Sequence, residues 1–249
     1  MLISIITPTY NSYATILSTY ESIKNQDYDN WEWVVTDDCS TDQTVDILKK
    51  IAFKDSRVKV FVNDTNSGAA VSRNRCISES NGEFIAFLDS DDLWLPNKLM
   101  CQLEFMLEGK YSFSFTSYEL IYENGNKIGK VVDKGEVVSV SYQDMLRKKA
   151  TLGCSTVMLK KSCFRSLSMP NIRTGQDYAL WLKLLKQDTN AYLLPVILTE
   201  YRIMPNSISR NKIKKAKRQW QIYREIEQLN IIDSTISFFH YAYRAVFRM

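Results

Sequence analysis

Four short apolar runs, Leu2–Thr7, Trp31–Thr36, Val58–Val62 and Phe84–Leu88, alternate with segments of helical spacing through the N-terminal part of the chain. The intervening segments place Ile16, Leu17, Tyr20 and Ile23, then Val45, Leu48, Ile51 and Ala52, on single helix faces. Strands that alternate with helices of this length pair through crossovers, so the pattern predicts βαβ units and a mostly parallel central sheet flanked by helices. Such α/β sheets carry their ligands outside the C-terminal ends of the strands. Three of those ends are polar here: Thr7-Pro8-Thr9-Tyr10-Asn11, Asp37-Asp38-Cys39-Ser40-Thr41-Asp42 and Asp89-Ser90-Asp91-Asp92.

Beyond Pro96 the pattern changes. The spacing predicts a helix over Lys98–Leu107, a strand over Tyr111–Tyr122, a turn at Asn124-Gly125-Asn126 and a returning strand over Lys127–Val132. Further helices are expected at Tyr142–Lys149 and Gln176–Lys186, with strands at Ser155–Lys160 and Ile197–Ile203. Helices over Asn211–Leu229 and Ser234–Phe247 complete the expectation, and no repeat or linker divides the chain into independent domains.

Composition narrows the chemistry. The 249 residues contain one histidine, His240, so serine or cysteine catalysis with a histidine base lacks its parts, as does a multi-histidine metal site. Five cysteines, widely spaced and never C-x-x-C, suit a reducing compartment and exclude a zinc ribbon. The opening residues lack a basic stretch, so no signal peptide is expected, and no apolar run approaches the ~18 residues that span a bilayer. Carboxylates must therefore do most of any catalysis.

Three acids in Asp89-Ser90-Asp91-Asp92 repel one another at the end of a strand. A divalent cation would relieve that repulsion, and Mg²⁺ or Mn²⁺ favours carboxylate oxygens shared with phosphate; a solvated turn or a helix cap is the structural alternative. Asp37-Asp38 offers acceptors for a uracil imide or a ribose hydroxyl, while Ser40 or Asp42 could cap the following helix. Asn66-Ser67-Gly68-Ala69-Ala70-Val71-Ser72-Arg73-Asn74 sets a small-residue turn before a helix, where an anion is favoured, yet matches neither phosphate-loop fingerprint.

Taken together, the first-strand Ile5–Asn11 segment, Asp37–Asp42, Ser67–Asn74, Gly82–Asp92 and Gln176-Asp177-Tyr178-Ala179-Leu180-Trp181 resemble glycosyltransferase family 2, over roughly the first two hundred residues. The later half is most similar to bacterial surface-polysaccharide members of the teichuronic-acid and O-antigen type, with Asn206–Ser209 following the Gln-Asp-Tyr helix. The resemblance implies a GT-A fold, a UDP-sugar donor, Mn²⁺ or Mg²⁺, and inversion at the anomeric carbon. It implies a catalytic domain over 1–203, with a nucleotide-sugar half at 1–96 and an acceptor half at 97–203, followed by a helical tail at 204–249. Carried over by residue, Pro8, Tyr10, Asn11 and Asp38 belong to the donor site around uracil, and Arg73 lies beside the base or phosphates. Asp89 faces the ribose, Asp91 holds the metal, and Asp177 is the general base. From its helix alone, Asp177 reads as a first-turn acid favouring the helix dipole; within the set of motifs it reads as the base. Trp181 reads as core rather than as a platform for the acceptor.

Departures from the family pattern are visible. Met204 stands after Tyr201-Arg202-Ile203 where many members place a metal-binding histidine, and a thioether is a poor ligand for Mg²⁺ or Mn²⁺. Gln176 replaces a common Glu, and the Gln-x-x-Arg-Trp signature of processive synthases is absent, which favours transfer of a single sugar.

The formal charge of +4 hides an asymmetry: residues 202–249 hold ten Lys and Arg against three Asp and Glu. With Trp220, Phe238, Phe239, Tyr241, Tyr243 and Phe247, this basic aromatic tail reads either as a membrane-surface element or as helices packed on the sheet. Nucleic acid is not an expected partner, since no recognised binding motif accompanies the charge. The resulting expectation is a cytoplasmic enzyme, peripheral on the inner face of the membrane, acting on a lipid-diphosphate-linked saccharide. A non-catalytic membrane-associated subunit and a sugar-nucleotide pyrophosphorylase are the competing readings; the latter lacks its basic glycine-rich loop at Thr7–Asn11.

Overall fold

The computed structural model describes residues 1–135, 137–204 and 212–247. Strands β1 (Ile3–Thr9), β2 (Trp31–Asp37), β3 (Val58–Val62) and β4 (Phe84–Phe87) are linked by helices α1 (Ile16–Lys24), α2 (Thr44–Lys54) and α3 (Ala69–Ser78). These four strands pair in parallel in the order β3-β2-β1-β4. Helices on both faces bury both sides of such strands, which is why β1 and β2 read as nearly continuous apolar runs.

Residue parity along β1 separates two cores. Ile3 and Ile5 pack with Trp31, Trp33, Ile16, Tyr20 and Leu48 on one face, whereas Ile6 joins Val34, Phe87 and Cys76 on the other. The buried Glu32 stays charged between them because Ser4 Oγ and the Asn81 amide donate to it and Lys59 pairs with it at 2.7 Å. Gly82 is required there. A Cβ at that position would lie 2.6 Å from the Ser4 amide nitrogen.

The second half extends the same sheet with β5 (Leu93–Trp94), β6 (Phe113–Tyr122), β7 (Lys127–Val132), β8 (Ser139–Val140), β9 (Met158–Lys160) and β10 (Ala191–Ile203). Here β6 and β10 run parallel, while β9, β5, β7 and β8 add antiparallel pairs. Helices α4 (Lys98–Glu108), α5 (Tyr142–Leu146) and α6 (Gln176–Leu185) accompany them. Helix α7 (Lys212–Gln221), a π-helical turn over Ile222–Ile226, and α8 (Ile231–Phe247) follow.

Several expected boundaries move for identifiable reasons. Cys154–Thr156 form a 3-10 turn rather than the start of a strand, because Ser155 is drawn into contacts with Asp89 beyond β4, with β5 and with β10. Helix α5 stops at Leu146, and Lys148 two residues on takes a φ of 57° that no helix continues. Strand β10 begins at Ala191, six residues earlier than expected, and crosses a bulge near Pro195 that periodicity does not reveal. The hairpin strand Lys127–Val132 falls where its turn predicts. Asn206–Ser209, Asn211 and Arg248 lie outside the described residues.

The tail is partly core. Ile222 and Tyr223 are buried in the same cluster as Tyr178, Leu182 and Phe87, and the Glu227 carboxylate accepts from Tyr142 at 2.6 Å and pairs with Lys186 at 2.7 Å. No helix among the described residues is long and apolar enough to cross a membrane.

Candidate active site

The polar strand ends converge on one edge of the sheet. Register pairs Thr9 with Asp37 and Asp37 with Val62, so the loops after β1, β2 and β3 leave side by side. The β1 loop then ties to its neighbours. Asn11 Oδ1 accepts from the Thr41 amide at 2.8 Å, its own amide donates to Ser40 Oγ at 2.8 Å, and Ser12 Oγ lies 2.8 Å from Ser90 Oγ. Pro8 is buried within β1, whereas the Tyr10 ring stands exposed at the mouth.

Asp38 organises the small-residue turn. Its Oδ1 accepts from the Ser67 amide at 3.0 Å and from Asn63 Nδ2 at 2.9 Å, and its Oδ2 accepts from the Gly68 amide at 2.7 Å. Gly68 has a φ of 93°, which disfavours a side chain, and open space faces the position of its missing Cβ. Asp37 bonds Ser40 instead, and Asp42, not Ser40, accepts from the Thr44 amide at the start of α2.

Arg73 reaches from α3 across the site to Asp89, at 2.5 Å. Only 5% of Arg73 is exposed, yet its Nε and Nη1 have no hydrogen-bond partner among the described residues. Burial works against its charge, but the carboxylates of Asp89 and Asp177 outweigh burial and hold the guanidinium firmly protonated. A buried cation with two free donors is an invitation to an anionic or carbonyl-bearing ligand.

The acidic turn divides its labour. Asp92 is buried: Oδ2 accepts from Ser155 Oγ at 2.5 Å and Oδ1 from the Arg202 amide at 2.8 Å. Burial, then the charges of Asp91 and Asp89, push its carboxyl well above the ordinary range. Asp91 is pushed up to about 6, first by burial and then by Asp89. A cation beside Asp89 and Asp91 would remove that penalty, and one or two carboxylates completed by phosphate suit Mg²⁺ or Mn²⁺. No group of three His, Cys, Asp or Glu side chains that could hold a metal ion forms among the described residues. Met204, half-buried, adds no hard donor.

Asp177 sits in the first turn of α6 behind Gly175, whose φ is 74°. Its carboxylate makes no hydrogen bond among the described residues, and it lies within electrostatic reach of Arg73, Lys148 and Lys215. Trp181 is fully buried, with its ring 5.4 Å from both Phe87 and Phe113, and so belongs to the core. Sequence reasoning had not singled out Ser155, Lys148 or the clasp made by Arg202. Their partners lie far away in the chain, and no local spacing announces them.

Comparison with known proteins agrees with this geometry. The profile of glycosyl transferase family 2 matches residues 4–164. The chain is 46% identical over 245 residues to the putative teichuronic acid biosynthesis glycosyltransferase TuaG of Bacillus subtilis (strain 168), covering 98% of this chain and 96% of that protein. It is 40% identical over 222 residues, 89% of this chain and 85% of the relative, to the Escherichia coli UDP-Glc:alpha-D-GlcNAc-diphosphoundecaprenol beta-1,3-glucosyltransferase WfgD. In fold it resembles S. aureus TarS 1-349 in complex with UDP-GlcNAc, with a TM-score of 0.77 at 22% identity over 99% of this chain and 74% of that one. A parallel N-terminal half, an acidic strand end paired with Arg73 and a profile match over most of the chain lead to one conclusion: this GT-A protein is a glycosyltransferase and belongs to glycosyltransferase family 2.

Proposed function

We propose that the protein transfers one sugar, with inversion, from a UDP-sugar to a hydroxyl of a lipid-diphosphate-linked saccharide in bacterial surface-polysaccharide synthesis. The observation that carries this reading is the buried Arg73, paired with Asp89, within electrostatic reach of Asp177 and with two donors unspent among the described residues. The names of the relatives, one in teichuronic acid synthesis and one acting on a diphosphoundecaprenol-linked sugar, support the acceptor class.

In this reading Pro8, Tyr10, Asn11 and Asp38 hold the uridine, with Asp38 acting mainly through the Ser67–Gly68 turn that it ties down. Asp89 orients Arg73 toward the donor while facing the ribose. Asp91 would hold Mg²⁺ or Mn²⁺, which when bound supplies Lewis-acid neutralisation of the departing diphosphate. Asp177 accepts the proton of the attacking hydroxyl, and its freedom from other hydrogen bonds among the described residues leaves it available for that role. One displacement at the anomeric carbon gives one inversion.

The tail suits a peripheral position on the inner face of the membrane. Ile232, Ile236, Phe239, Tyr243 and Phe247 recur at helical spacing on α8, each at least 49% exposed, while Trp220 and Phe238 pack inward against each other. Basic α7 beside that apolar stripe matches an anionic leaflet, with each basic residue worth about 1 kcal/mol. Sedimentation with phosphatidylglycerol vesicles should weaken on replacing Ile236 and Phe239 by Ser; unchanged binding would rule the stripe out.

Incubation with labelled UDP-sugars, Mn²⁺ and a prenyl-diphosphate-linked sugar tests the enzymatic reading. Folded Asp177→Asn and Asp91→Asn variants should lose transfer by about 10²-fold or more. Transfer at the wild-type rate by either variant would overturn the assignment.

A further inference from the structure

We infer that Lys148 and Lys215 form the binding site for the diphosphate that joins the acceptor sugar to its lipid, on the side of Asp177 away from the donor. The inference rests on the acceptor class proposed above and locates its anionic group.

The two lysines reach Asp177 from different elements. Lys148 lies in the turn after α5, with its Nζ 3.1 Å from the centroid of the Tyr178 ring, the residue next to Asp177, and 5.9 Å from that of Tyr241 on α8. Lys215 projects from α7, exposed, within electrostatic reach of both Lys148 and Asp177. Neither lysine makes an ion pair among the described residues, whereas Lys59, Lys127, Lys149 and Lys186 each do. Two cations therefore face one carboxylate, and that carboxylate is engaged in proton transfer rather than in a fixed pair.

Burial pushes the Lys148 ammonium down to about 7; Asp177 resists this and Lys215 adds to it. A diphosphate carries the charge that would restore full protonation. The first turn of α6 adds to the attraction, since Gly175 provides no side-chain cap for its amides.

Stereochemistry explains why such a site belongs beside the base. The attacking hydroxyl must reach Asp177, and the anomeric oxygen that carries the phosphate lies across the same sugar ring. A diphosphate pocket within one ring of Asp177 is thus demanded by a lipid-linked monosaccharide acceptor. The donor diphosphate is served from the other side, by Arg73 and the Asp89–Asp91 turn. Tyr241, beside Lys148, sits on the helix whose outer face is the apolar stripe, so a lipid leaving the lysines meets α8.

Titration calorimetry on the full chain, saturated with UDP and Mg²⁺ to fill the donor side, tests the site with farnesyl diphosphate. Binding is expected, with farnesol failing to bind. Lys148→Gln and Lys215→Gln should each weaken it about tenfold, the loss of one charge-assisted contact, and Lys217→Gln should leave it unchanged. Equal binding by wild type and the double variant, or no binding by wild type, would overturn the proposal. This arm requires no turnover, so failure of the enzyme to transfer any UDP-sugar would count against the proposed function alone. In a second arm, one acceptor sugar is offered on a prenyl diphosphate and on a neutral alkyl group. Lys148→Gln should raise KM only for the diphosphate. An equal loss on both would mean that the lysines merely position Asp177.

Discussion

Asp92 and Arg202 clasp the acidic turn, each side chain bonding to backbone: Asp92 Oδ1 accepts from the Arg202 amide at 2.8 Å, and Arg202 Nε donates to the carbonyl of Asp91 at 2.7 Å. Arg202 Nη1 continues to the carbonyl of Glu123 at 2.7 Å, so one side chain joins the acidic turn to the β6-β7 hairpin. The carboxylate beside Asp91 is thereby a structural part, and Asp91 is left as the free member of the pair.

Replacing Arg202 by Met should therefore loosen the turn without touching any ligand. Loss of its buried hydrogen bonds, with two carbonyls left unmet, is expected to cost about 2–4 kcal/mol in urea unfolding. Affinity for UDP should fall in parallel. Unchanged stability would show that the clasp is dispensable.

Asp91 should trade stability for function. Its carboxyl rises from 3.8 to about 6 in the folded chain, so the folded state favours the protonated form, and the associated stability is lost as pH rises from about 4 through 6. Asp91→Asn without ligands should unfold at a higher temperature than wild type at pH 7.5, by on the order of 1–3 kcal/mol. The gain should vanish at pH 4. Adding UDP and Mg²⁺ should stabilise wild type more than the variant; scanning calorimetry at both pH values reads all three outcomes.

Asp38 holds Ser67 and Gly68 in place, so Asp38→Ala should weaken UDP binding at least tenfold through the turn. Stability should drop by about 2 kcal/mol, since hydrogen bonds to a charged group are lost. A drop in stability with unaltered UDP affinity would confine Asp38 to a structural role.

Lys98 has no part in the site and is a candidate for stabilisation. It is fully buried, its Nζ lies 3.8 Å from the centroid of the Trp94 ring, and it has no hydrogen-bond partner among the described residues. Burial drives its ammonium well below the ordinary value, so the stability it costs is greatest at low and neutral pH and fades toward the free amine's value near ~10.4. Lys98→Met should raise the midpoint of thermal unfolding at pH 7 by several degrees, about 1–2 kcal/mol, with the difference shrinking at pH 10. A destabilised variant would mean that the contact with Trp94 outweighs desolvation.

Sequence alone determined the parallel N-terminal half of the sheet. Parallel strands buried on two faces must be apolar along their whole length, so β1 to β4 and the polar ends that follow them are legible as runs and breaks in composition. The hairpin at Asn124-Gly125-Asn126 and the apolar face of α6 were legible for the same reason, since their signals are local. Tertiary structure alone decided the roles inside each cluster. Asp91 and Asp92 are neighbours in an identical local context, and only the approach of Ser155 and Arg202, 63 and 110 residues on, makes one a clasp and leaves the other exposed to a ligand. The tail divided likewise: Tyr223 went to the core and Phe239 to the surface, although both are aromatic residues on amphipathic helices. Periodicity records that a helix has an apolar side, but which apolar residues find a partner depends on what the rest of the chain brings to that side.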